Sequence, residues 1–200
     1  MTTAKTPVAA SLVAVLALTA CSGGSSAVYD FTQESLTEPT SSIEFRVPDE
    51  LIELEDGYAE TRVYESITVS SVESDDPSEC AVEMEFDFAD DGLERYTENV
   101  ESELQSGETL DDRMAARMTG RDLEHTEISE DYSAAVVTMN CAESPSEDRS
   151  TANVKFVHFV DGDTEVFAEA EVAVMKGGEV YVHEPDVEGW EADSNGDWIQ

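Results

Sequence analysis

The chain has 200 residues, 40% of them hydrophobic, which suffices for one ordinary domain with a real core. It carries 47 acidic against 10 basic residues, a formal net charge of −37. That balance excludes nucleic-acid binding and docking onto anionic lipid, both of which need basic patches. The acids run from Asp30 to Asp197 rather than in one block. Such a spread reads as a solvated surface suited to a salty habitat, with a binding surface for cations or basic partners as the alternative.

Lys5 is the only charge before Cys21, and Val8–Ala20 is apolar or small apart from Ser11 and Thr19. This is a short n-region and an h-region of secretory length, too short for a membrane span. The run closes on Leu18-Thr19-Ala20-Cys21, which resembles the lipobox of bacterial membrane lipoproteins. The resemblance covers residues 1 to about 26. It implies a signal peptide over residues 1–20, cleavage before Cys21, and a lipid such as palmitate on Cys21. It also implies a mature protein held by its N-terminus at the outer face of the cell membrane. No functional family is recognised in the remainder.

Residues 21–42 are rich in Ser, Thr and Gly and read as a flexible tether, with Tyr29 and Phe31 able to dock on the domain. Residues 43–200 read as a single extracytoplasmic domain. Ile43, Phe45 and Val47 predict a short strand stopped by Pro48, and Leu51–Leu54 a second apolar piece before an Asp56-Gly57 turn. Arg62–Val72 is rich in Val, Ile, Thr and Tyr, a further strand. Cys80–Phe88 alternates strictly, with Val82, Met84 and Phe86 opposed by Glu83, Glu85 and Asp87.

The period then changes. Leu93, Tyr96, Val100 and Leu104 predict an amphipathic helix over Asp90–Gln105. A second short helix opens with a capping box, Thr109 with Asp112, and closes at Gly120. Strands return at Tyr132–Cys141 and at Ala152–Val160, whose two apolar faces predict a central position. Thr164–Val174 follows an Asp161-Gly162-Asp163 turn, with Val166, Ala168, Ala170, Val172 and Val174 on one face. Lys176-Gly177-Gly178 turns into Val180–His183, completing a meander. The expected fold is therefore α+β: a mostly antiparallel sheet with two short helices on one face. A helix followed by a meander loosely resembles the nuclear-transport-factor-like and cystatin-like folds, an analogy that carries no function.

With Cys21 taken by the lipid, Cys80 and Cys141 remain as an even pair in an oxidising compartment, which predicts a disulfide. Nucleophilic hydrolysis finds no Gly-x-Ser-x-Gly elbow, no Ser-x-x-Lys and no spare cysteine. His125, His158 and His183 are far apart in sequence, although His158 and His183 share the meander and could meet across strands. Asp193, Asn195 and Asp197 look like an oxygen-rich cation loop but break the EF-hand spacing. Arg113, Arg117 and Arg121 recur every four residues and form a stripe for an anion or acidic partner, or for the chain's own acids. Trp190 and Trp198, with Tyr181, suggest an aromatic platform for sugar or peptide, or a C-terminal lid.

These readings converge on a lipid-anchored, non-catalytic binding or accessory module of the cell envelope. Its partners would be the membrane, through Cys21, and an envelope protein or glycan, with no cofactor implied. The alternatives are a carboxylate-based hydrolase of cell-wall glycans and a solute or cation receptor.

Overall fold

The alternation at Cys80–Phe88 produces the strand at the centre of the fold, β4 (Glu79–Phe88). Val82, Met84 and Phe86 are buried on one face, while Glu85 and Asp87 on the other are exposed. The structure, a computed structural model, describes residues 25–31, 40–47, 62–143, 151–160, 163–183, 191–192 and 198–199. Around β4 lie β1 (Ser26–Asp30), β2 (Ser42–Arg46), β3 (Tyr64–Val72), β5 (Thr126–Ile128) and β6 (Ala134–Asn140). Their order is β1-β2-β3-β4-β6-β5, and only β1 and β2 pair in parallel. A second sheet is the antiparallel meander of β7 (Ala152–Val160), β8 (Asp163–Met175) and β9 (Glu179–His183). A short ribbon pairs β10 (Glu191–Ala192) with β11 (Trp198–Ile199).

Two helices follow β4, α1 (Gly92–Ser102) and α2 (Leu110–Thr119). In α2 the Thr109 hydroxyl accepts the Asp112 N–H and the Asp112 carboxylate accepts the Thr109 N–H, so the expected capping box forms. Gly120 ends the helix at φ 71°, the left-handed region. A side chain there would also strike Asn153, whose Nδ2 lies 2.1 Å from the position of a Cβ.

The α+β class, with mostly antiparallel strands, two short helices and one disulfide, is as expected. The meander, however, forms its own sheet rather than extending the first. The two sheets share one core. Ile43, Phe45, Ile67 and Met84 enter from the larger sheet, Val154, Phe156, Val172 and Val180 from the smaller, and Tyr96, Val100, Met114 and Met118 from the helices.

β4 and β6 pair with Cys80 opposite Met139, which brings Cys80 and Cys141 together as a disulfide with a Cα–Cα distance of 5.0 Å. Among the described residues, no helix is long and apolar enough to cross a membrane.

Three details differ from expectation. Ser26–Asp30, inside the span read as a tether, is a paired strand. Ala27 and Tyr29 lie opposite Ile43 and Phe45, and the Tyr29 and Phe31 rings sit 5.4 and 6.3 Å from Phe45. The apolar contacts of these alternate residues outweigh a Ser-rich composition. Second, β7 is not central. It pairs with β8 alone in its sheet, and its second apolar face meets the helices, where Asn153 lies beside Gly120 and Arg95 stands 4.0 Å over the Phe159 ring. Third, the β7–β8 register slips between Phe156 and Val157, so Phe167 is an extra residue on β8. The bulge turns Val166 outward, 50% exposed, and Phe167 toward Phe156 and His158. The expected elements at Leu51–Leu54, Asp56-Gly57, Pro145 and Asp161-Gly162 lie outside the described residues.

Candidate functional site

The arginines on and just after α2 form a polar cluster against the end of α1. Residues four apart on a helix share a face, and Arg113 and Arg117 do so beside the end of α1. Both reach Glu103: Arg117 through a hydrogen-bonded ion pair, Arg113 at 3.7 Å. Arg113 also meets Glu108 at 3.4 Å. The other arm of Arg117 donates to the Thr164 hydroxyl at 3.4 Å, which in turn donates to Asn99 Oδ1 at 3.1 Å. Arg121 lies past the end of α2, and its Nε and Nη2 donate to the Thr151 carbonyl at 3.1 and 2.8 Å. The chain's own groups therefore engage all three guanidinium groups of the stripe.

Two tyrosines lie beneath this cluster. Burial pushes the Tyr96 phenol up to about 12, the nearby Arg117 guanidinium pulls it down, and Glu103 pushes it up. Tyr64 is raised well above the usual phenol value, first by burial and then by Tyr96. Its hydroxyl lies near that of Tyr96 but without hydrogen-bond geometry, and Arg113 Nε is likewise buried with no partner among the described residues.

The histidines separate. His158 stacks on Phe167 with ring centroids 5.0 Å apart, 4.0 Å from the Glu165 carboxylate. His158 lies across from Glu165 and His183 across from Glu171, on opposite sides of β8. The two histidines therefore do not meet, because β8 and six positions of register lie between them. His125 is exposed in the turn before β5, with Nδ1 2.9 Å from Asp122 Oδ1. That hydrogen bond is the main cause of a lowered Asp122 pKa. Asp122, Glu124 and His125 present ligand atoms within 4.8 Å of one another, spacing that suits a cation. Sequence reading missed this group by asking what would tie the three histidines to one another, although Asp122, Glu124 and His125 fall within four residues of the chain.

Open depressions lie among the described residues. One, of about 430 Å3, gathers Asp30, Glu44, Arg46, Arg62, Glu65 and Asp87. Within it Arg46 pairs with Glu44 at 2.6 Å, and Arg62 pairs with Glu65. Two more, of about 350 and 690 Å3, adjoin the disulfide, and the smaller also borders the Lys176–Gly178 turn. Tyr181 is buried in β9, 3.4 Å from Glu179, and burial pushes its pKa up to about 12. Trp190, the Trp198 side chain, Asp193, Asn195 and Asp197 lie outside the described residues, as does Cys21.

Comparison with known proteins gives no match to a family model, a curated protein or a solved structure.

Proposed function

We propose that this protein is an acidic lipoprotein on the outer face of the cell membrane, held by a lipid on Cys21, and that it is a non-catalytic binding or accessory module of the envelope. The observation that carries the location is the apolar run ending in Leu18-Thr19-Ala20-Cys21. The Cys80–Cys141 disulfide supports an oxidising compartment. The arginine stripe supports a scaffold role for those residues, since each guanidinium is engaged within the chain.

The test sets binding against turnover. The full lipoprotein in detergent is incubated with isolated cell-wall glycan and envelope protein, and both retention and product release are followed. Retention without product is expected. Release of glycan fragments overturns the reading in favour of a carboxylate-based hydrolase. A second reading, a cation receptor, is favoured by the Asp122–Glu124–His125 group. It requires zinc, but not calcium, to raise Tm in the wild type and not in His125→Ala.

A further inference from the structure

The position of Ser25 has a geometric consequence if Cys21 carries a lipid. The Ser25 carbonyl accepts from the Ser41 N–H at 3.0 Å, from the Ser41 hydroxyl at 2.8 Å and from the Thr40 hydroxyl. Ser41 is bonded onward to Ser71, and Thr40 to Val180 of the second sheet. The chain thus becomes fixed to both sheets at Ser25, at the end where β3 turns into β4 and β8 into β9. β1 runs away from that end.

Cys21 precedes Ser25 by four residues, which span at most about 14 Å fully extended. Ser71 lies across from Val82, and β4 continues six residues from there to Phe88, roughly 20 Å. The start of α1 lies beyond Phe88. If that end touched the bilayer, Ser25 would stand farther from the surface than four residues can reach.

We propose that the Ser25 end of the fold faces the bilayer. The β3–β4 turn (Glu73–Ser78) and the β8–β9 turn (Lys176–Gly178) then lie against the lipid headgroups, and the start of α1 points outward. This rests on the lipidation of Cys21. The attraction comes from the lipid alone: among the described residues of these two turns and their flanks, Glu73, Asp75, Asp76 and Glu79 outnumber Lys176, so anionic headgroups repel this surface and salt relieves the repulsion.

The test uses the full-length lipoprotein in phosphatidylcholine vesicles containing headgroup-spin-labelled lipid, at molar NaCl. A fluorophore is placed on Asp75→Cys or Glu94→Cys, both exposed sites. Quenching at position 75 is expected to exceed that at 94 by about threefold, given a separation of roughly 20 Å or more along the strands. A second variant inserts about 20 Gly/Ser residues after Ser22, a root-mean-square reach of about 25 Å, and should bring the two signals toward equality. Vesicle-bound protein with equal or reversed quenching overturns the orientation alone, as does a difference that survives the insertion. Protein that carries no lipid and leaves the vesicles overturns the anchoring reading, and the orientation with it.

Discussion

Gly92 sits where no side chain fits against the backbone. It opens α1 where the chain passes the backbone of Val63, and a Cβ there would sit 2.4 Å from the Val63 carbonyl oxygen. That oxygen also accepts the Ala89 N–H at 3.0 Å, so it cannot move without losing a bond. Gly92→Ala is expected to cost about 1–3 kcal/mol, the range for overpacking, read as a lower denaturation midpoint. Tyr96 gives a pH signature. A phenol whose pKa is raised on folding stabilises the fold while neutral. Its contribution is complete below about 10, the ordinary tyrosine value. It is lost as pH climbs through the folded value of about 12. Stability is therefore expected to fall between those values, and less steeply in Tyr96→Phe, when denaturation is followed at stepped pH. Glu103 shows the limit of sequence reading at this scale. The arginine stripe was visible from its spacing, but its partner lies 14 residues away, and only the packing of α1 on α2 brings them together.

Among the elements, those specified by neighbours in sequence were legible. β4 follows from strict alternation, and α2 from a capping box and a closing glycine. Elements set by distant contacts were not. β1 is five residues of mixed composition whose strand character depends on parallel pairing with β2 and on Phe45. The extra residue at Phe167 leaves no trace in a regular alternation, so the pattern over Thr164–Val174 placed Val166 on the wrong face. In the candidate site, the residue types were legible and their grouping was not, because strand register, absent from a single sequence, keeps His158 and His183 apart. The Cys80–Cys141 pair was legible from compartment and count. It closes a sequence separation of 61 residues between neighbouring strands. Replacing both cysteines by Ala is expected to cost about 4 kcal/mol in the chain-entropy view, measured as a lower denaturation midpoint than the oxidised wild type.

For the whole molecule, charge dominates. A formal charge of −37 on 200 residues repels itself at low ionic strength. The screening length falls from about 10 Å at 0.1 M salt to about 3 Å at 1 M, so Tm is expected to climb steadily with NaCl. A flat response would contradict self-repulsion as a limit on stability. The proposed location depends on a lipid at Cys21, which intact-mass analysis of the N-terminal peptide reads out. The full chain is expressed in a bacterium that processes lipoproteins and recovered from its membrane fraction. An N-terminus at Cys21 carrying acyl mass is expected, with Cys21→Ser unacylated and lost from the membrane. An unmodified Cys21, or a wild-type N-terminus elsewhere, would contradict it.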